Sequence, residues 1–242
     1  MVEKAADFSE TNIAKVQSAI AHGGLQAYST KAPSYFAGVR GARTDYLREL
    51  PNDRHARILE IGCGDGATGA LALLEGKCEQ YCGVELCQSA ADKAKDRITE
   101  VLVGNIEDRE LPWPPECFDA LILSEVLEHL VDPWAVLRKI RPLMKPCARV
   151  FASSPNVSHH RVIRMLIAGE WSLADLGVMD RTHLRWFTPR AYKALFESSG
   201  YIVDSVGEVA PLSRKARVVS FLTFGRFRHL FVGQVSLKAH CP

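Results

Sequence analysis

The feature that most constrains this chain is a short apolar run ending in three closely spaced glycines. It reads Ile58-Leu59-Glu60-Ile61-Gly62-Cys63-Gly64-Asp65-Gly66 and passes directly into the helix-like stretch 67–76. The apolar run predicts a buried strand over 56–62. A strand, a glycine turn and a helix in this order open a doubly wound sheet, whose ligands sit beyond the carboxyl ends of its strands at the switch point. Glycine at 62, 64 and 66 allows a sharp turn and lets the backbone approach a ligand without Cβ interference. The helix that follows offers its free N–H groups to whatever is bound.

The spacing narrows the ligand. A dinucleotide fingerprint reads G-x-G-x-x-G and cradles a pyrophosphate, whereas here the third glycine comes one residue early and Glu60 stands two before the first. A carboxylate at that point repels phosphate and suits an ammonium group. S-adenosylmethionine carries such an ammonium on its amino-acid tail and has no phosphates. The next apolar run, 80–86, ends in Val84-Glu85-Leu86. Glu85 lies nineteen residues past Gly66, where an acidic side chain can accept two hydrogen bonds from ribose hydroxyls.

The rest of the chain continues the alternation. Helical patterns at 67–76, 89–98 and 132–144 are interleaved with strand patterns at 80–86, 99–105, 117–124 and 148–155. Asp132 is placed to cap the third of these helices, with Pro133 in its first turn. Such alternation predicts parallel βαβ units. Ahead of it, 10–22 and 33–50 read as a helical cap (1–55) on a cofactor-binding core (56–155). An insertion rich in His, Arg and Trp (156–188) breaks the pattern before a helix at 188–200, a strand at 201–209 and a last strand at 231–240. One domain is expected for 242 residues.

Composition excludes more than it proposes. A content of 47% hydrophobic and 24% charged residues is that of an ordinary soluble protein, and a net charge of +2 gives no reason to expect nucleic acid as a partner. The first residues lack an apolar signal core and no run of about 18 apolar residues occurs, so a cytoplasmic protein is expected. Cysteines at 63, 78, 82, 87, 117, 147 and 241 are odd in number and lack paired C-x2-C spacing. They read as small buried hydrophobes, with neither a disulfide framework nor a metal site expected.

LEIGCGDG, GVEL, VGNIED and FDALILSEVLEHLVDP resemble, in order, the successive motifs of class I S-adenosylmethionine methyltransferases. The resemblance covers about residues 33–208. It implies an α/β, Rossmann-like sheet of seven strands with the last antiparallel, and S-adenosylmethionine as cofactor. It also implies that Gly62, Cys63, Gly64 and Gly66 line the methionine tail with Glu60, that Glu85 and Leu86 meet the ribose, that Asn105 and Ile106 flank the adenine, and that Ser124 closes the pocket. Asn105 departs from the more usual aspartate; its amide oxygen can still accept from the adenine amino group.

Methyl transfer from a sulfonium needs positioning, plus a base when the acceptor is a hydroxyl. Histidine is the natural base near neutral pH, and His129 in SEVLEHL and His183 in DRTHLRWFT are the catalytic candidates. His159 and His160, adjacent in SPNVSHHRV, are weaker ones, and Tyr28 and Tyr35 are placed to close over the methyl group. DRTHLRWFT and YSTKAPSYFAGVRGARTDYLRELP resemble bacterial methyltransferases associated with glycosyltransferases of surface-polysaccharide assembly. That branch implies a sugar or glycan hydroxyl as acceptor, with Arg181 and Arg185 suited to a phosphate or carboxylate on it. A quinone-type or other small-molecule O-methyltransferase is the alternative; a nicotinamide-dependent oxidoreductase and a non-catalytic cofactor binder are the rivals. The stretch 214–231, basic with four phenylalanines, packs on the sheet or a second subunit, or lies on an anionic membrane.

Overall fold

The computed structural model describes residues 41–50 and 52–242. The anticipated helix at 10–22, Tyr28 and Tyr35 therefore lie outside the described residues, as does the first part of the helical pattern at 33–50. What is described of the cap is α1 (Thr44–Glu49), which buries Tyr46 and Leu47.

Seven strands form one sheet in the order β3-β2-β1-β4-β5-β7-β6. They are β1 (Arg57–Ile61), β2 (Gln80–Glu85), β3 (Glu100–Val103), β4 (Phe118–Ser124), β5 (Met144–Pro155), β6 (Ile202–Glu208) and β7 (Gln234–His240). The first five run parallel, and β7 is antiparallel to both β5 and β6, between which it is inserted. The chain reverses its direction of winding between β1 and β4, so the switch point lies between the ends of those two strands.

The continuous apolar runs of β1, β2 and β4 are the sequence of strands covered on both faces. One face carries Tyr46 and Leu47 of α1, Ala72 of α2 (Ala67–Leu74) and Ala94 of α3 (Gln88–Lys95). The other carries Leu137 and Ile140 of α4 (Pro133–Ile140) with Tyr192, Leu195 and Phe196 of α6 (Pro189–Ser198). Asp132 caps α4 by accepting from the Ala135 N–H at 2.9 Å, a contact of a kind contributing about 1 kcal/mol. Between β5 and α6 the insertion holds a helix the sequence reading did not resolve, α5 (His160–Ile167). Near the C-terminus α7 (Arg214–Leu222) buries only Ala216 and Ser220.

Candidate active site

An open cleft enclosing about 700 Å³ runs along the carboxyl edge of the sheet. Its walls are Ile61 and Gly62 at the end of β1, Glu85 and Leu86 at the end of β2, Asn105 and Ile106 after β3, and Val126 and His129 after β4. The structure thus brings Gly62, Glu85, Leu86, Asn105 and Ile106 to one surface. Glu60, Cys63, Gly64, Gly66 and Ser124 do not line it.

The turn after β1 is shaped by backbone rather than by side chains. Gly62 has φ +72°, and a Cβ there would stand 2.5 Å from Cγ2 of Val126 across the cleft. The Gly64 N–H donates to Glu85 Oε2 at 2.9 Å, while Glu85 Oε1 accepts from the Cys87 N–H at 2.8 Å. Burial pushes the Glu85 carboxyl above its usual range, and these backbone donors oppose that rise. Glu60 is 3% exposed and accepts the Tyr81 hydroxyl at 2.7 Å, so it ties β1 to β2 beneath the turn. Cys63 is buried, and burial pushes its thiol up. Asn105 donates to Asp108 Oδ2 at 2.9 Å and its amide oxygen accepts from the Glu107 N–H at 3.1 Å. The amide oxygen expected to face an adenine is therefore engaged within its own loop. Lys139 holds that loop by donating to the Ile106 carbonyl at 2.9 Å.

A methyltransferase domain family matches residues 35–206, well over half of the chain. The chain belongs to that family. It is an S-adenosylmethionine-dependent methyltransferase, with S-adenosylmethionine as its cofactor. The methyltransferase is similar to the ubiquinone biosynthesis O-methyltransferase of Aeromonas salmonicida, with 27% identity over 169 residues that make up 67% of this chain and 70% of the relative. It also resembles an S-adenosylmethionine-dependent methyltransferase structure from Archaeoglobus fulgidus (TM-score 0.58, 21% identity, 81% of this chain and 91% of that one). A third likeness is to a cyclase, SpnF (TM-score 0.62, 19% identity, 92% of this chain and 97% of that one). At such identities the structural likeness is one of fold, and a fold alone does not set the chemistry. The cleft itself fits the cofactor. A glycine cradle that a Cβ would fill, one strand-end carboxylate and the apolar walls Leu86, Ile106 and Leu130 suit a nucleoside without phosphates.

The methyltransferase has a second cleft, enclosing about 1030 Å³, on the side of the insertion. Arg43, Glu125, Pro155, Leu176, Val178 and His183 are among its lining residues. Glu125 lines both clefts, and its φ of +56° is a conformation uncommon for a side chain of this kind. His129 faces the first cleft and His183 the second, with ring centroids 4.8 Å apart and the planes at 66°. The two catalytic candidates therefore meet where the clefts join.

Local contacts fix both rings. His129 Nδ1 lies 3.3 Å from the Thr182 carbonyl oxygen and 3.3 Å from Thr182 Oγ1, and that hydroxyl donates to Asp180 Oδ1 at 2.8 Å. His183 Nδ1 lies 3.1 Å from the Val178 carbonyl oxygen. The Glu128 carbonyl accepts from the N–H groups of Leu184 and Arg185 at 2.8 and 3.0 Å, stitching the insertion to the segment after β4.

Other candidates serve elsewhere. His159 caps α5 by accepting from the Arg161 N–H, and His160 Nδ1 bonds the Leu230 carbonyl at 3.0 Å; neither is among the described lining of the two clefts. Arg181 pairs with Asp175 at 2.7 Å, and Arg185 donates to the carbonyl of Val131, a residue of the first cleft's wall. Sequence reasoning missed Arg43, which donates to Ser124 Oγ and to Ser153 Oγ (3.0 Å), pairs with Asp45 at 2.7 Å and lies 3.8 Å over the Tyr46 ring. Ser124 thus meets Arg43. Glu128 was missed too, although its place beside His129 in SEVLEHL was a signal available to be read.

Proposed function

We propose that this methyltransferase O-methylates a small hydroxylated aromatic acceptor of the quinone-precursor kind, in place of the sugar or glycan hydroxyl implied by the glycosyltransferase-associated resemblance. The observation that carries the reading is the pair His129 and His183 at the junction of the two clefts. Two facts favour the aromatic acceptor. The relative described above is a ubiquinone biosynthesis O-methyltransferase, and the second cleft has apolar walls in Pro155, Leu176, Val178 and Val209.

In this reading Gly62 lets the backbone reach the methionine tail, with Cys63, Gly64 and Gly66 forming the rest of the cradle and Glu60 holding it from beneath. Glu85 keeps lone pairs for the ribose hydroxyls beyond those its two backbone donors use. Leu86 and Ile106 close on the ribose and adenine, and Asn105 shapes the adenine loop. Ser124, held by Arg43, closes the methyl end. The sulfonium supplies an electrophilic methyl, so the acceptor oxygen forms the C–O bond as the S–C electron pair returns to sulfur. His129 and His183 orient the acceptor hydroxyl and favour loss of its proton.

The test is transfer of labelled methyl from S-adenosylmethionine to phenols and hydroquinones, set against nucleotide sugars. Methylated phenol is expected. Transfer to sugars alone would overturn the acceptor assignment.

The exposed face of α7 and the turn after it fits the same reading. Phe221, Leu222 and Phe224 are 82%, 69% and 100% exposed, beside Arg214, Lys215, Arg217 and Arg226. Apolar side chains ringed by positive charge suit an anionic membrane surface, from which a lipophilic acceptor is delivered. Among the described residues no helix is long and apolar enough to cross a membrane. Flotation with anionic vesicles is expected to retain the protein, and Phe221→Ser with Phe224→Ser to release it; no retention of the unmodified protein would remove this contact from the account.

A further inference from the structure

We propose that Arg185 is a positioning residue that couples the two clefts, so that a nucleoside bound in the first fastens a wall of the second. From sequence, Arg185 is expected to meet an anionic group of the acceptor. In the structure its guanidinium donates instead to the carbonyl oxygen of Val131, from Nε at 3.2 Å and from Nη2. Val131 lines the first cleft, so the insertion holds that cleft's wall directly.

The same peptide group is held from the cofactor side. Glu107 follows Asn105 and Ile106 in the loop after β3 and lines the first cleft with them. Its carboxylate accepts the N–H groups of Val131 and Asp132 at 3.2 and 2.8 Å. The peptide joining Val131 to Asp132 therefore has a carboxylate on its N–H and a guanidinium on its C=O. The two charges act in the same sense along the peptide dipole, so each strengthens the other's bond. Lys139 of α4 secures the loop by donating to the carbonyls of Ile106 and Glu107 at 2.9 and 3.3 Å. A hydrogen-bonded path thus runs from the loop proposed to meet the adenine, through one peptide group, to the insertion.

At the insertion end the path meets a strip shared by both clefts. Thr182 and Leu184 line the first cleft and His183 the second. Consecutive residues serve different clefts, so the strip cannot shift at one without shifting at the other. It is fastened by the N–H groups of Leu184 and Arg185 on the Glu128 carbonyl, at 2.8 and 3.0 Å, and by the Arg185 side chain. Arg185 is exposed, so its hold can be removed without opening the core. A ligand that orders the loop of Glu107 orders the strip as well, and a second ligand then binds with less ordering left to do. Such coupling is reciprocal between the two sites.

The test is amide hydrogen exchange across 182–187 in the full chain, with and without S-adenosylhomocysteine, for the unmodified protein, Arg185→Ala and Arg185→Lys. Saturating S-adenosylhomocysteine is expected to slow exchange of the unmodified chain by about tenfold. Arg185→Ala should reduce that slowing to less than about twofold, with S-adenosylhomocysteine affinity by calorimetry within about threefold of the unmodified value. Arg185→Lys keeps a cationic donor for the carbonyl and should fall between the two. No slowing in the unmodified chain overturns the coupling, as does equal slowing in Arg185→Ala. Loss of S-adenosylhomocysteine binding in Arg185→Ala also overturns it, because the residue would then belong to cofactor binding itself. With a phenol as acceptor, Arg185→Ala should raise KM by about tenfold and leave kcat within about twofold, and an unchanged KM would count against the coupling; this readout rests on the acceptor reading above. The expected exchange pattern without methylation of any phenol would leave the coupling standing and remove the acceptor reading instead.

Discussion

The two sides of the carboxyl edge are built by different means. On the β1–β2 side the wall proposed for the cofactor is shaped by backbone: the Gly62 turn, the Gly64 N–H on Glu85, and the Cys87 N–H on the same carboxylate. On the β4–β5 side the wall is a set of side chains tethered over long stretches of sequence, with His129 set by Thr182, Arg43 reaching Ser124 and Ser153, and Glu128 receiving the insertion. A wall of backbone holds one ligand in one pose and tolerates little change. A wall of side chains can be altered residue by residue, which is how one fold serves many acceptors.

If that contrast is right, changes on the first side should abolish cofactor binding and changes on the second should spare it. The largest effect is expected of Gly62→Ala, where φ of +72° and the 2.5 Å approach of Val126 leave no room for a Cβ. Calorimetry should show S-adenosylmethionine affinity reduced by about 100-fold or more, and an affinity within a factor of three of the unmodified protein would break the comparison at its strongest point. Next comes Glu85→Ala, which removes the acceptor for two backbone N–H groups as well as the proposed ribose contact. A loss of about 1–3 kcal/mol in thermal stability and a roughly tenfold or greater loss of cofactor affinity are expected. Undiminished affinity would refute the ribose assignment.

On the acceptor side, Thr182→Val keeps the shape but deletes the hydroxyl between Asp180 and His129. Steady-state kinetics should show kcat lowered by about tenfold, with cofactor affinity unchanged. A matched fall in cofactor affinity would mean that the two walls are not separable.

The same contrast decided what could be read from sequence. β1, β2 and β4 are buried on both faces, so their apolar runs were plain, and the glycines and Glu85 belong to one short stretch and its neighbour. The antiparallel last strand came from resemblance, since nothing in the residues of 231–240 tells a strand its direction. α5 was missed because it is only eight residues long and its cap, His159, is not a usual one. The pairing of His129 with His183 joins residues 54 positions apart and depends on Asp180 and Thr182 folding the insertion back on itself, which no local pattern encodes. Arg43 precedes the glycine turn by nineteen residues, and only the assembled sheet brings it to the ends of β4 and β5. Glu60 was legible as a carboxylate beside the glycines, but its tie to the buried Tyr81 hydroxyl across β2 was not.

The most direct test of the account is single-turnover methyl transfer to a phenolic acceptor by His183→Ala at saturating S-adenosylmethionine. Transfer is expected to fall by about 100-fold or more while cofactor affinity stays within twofold, because His183 stands in the second cleft and outside the first. Transfer at the unmodified rate would contradict the assignment of the reaction to the junction of the two clefts.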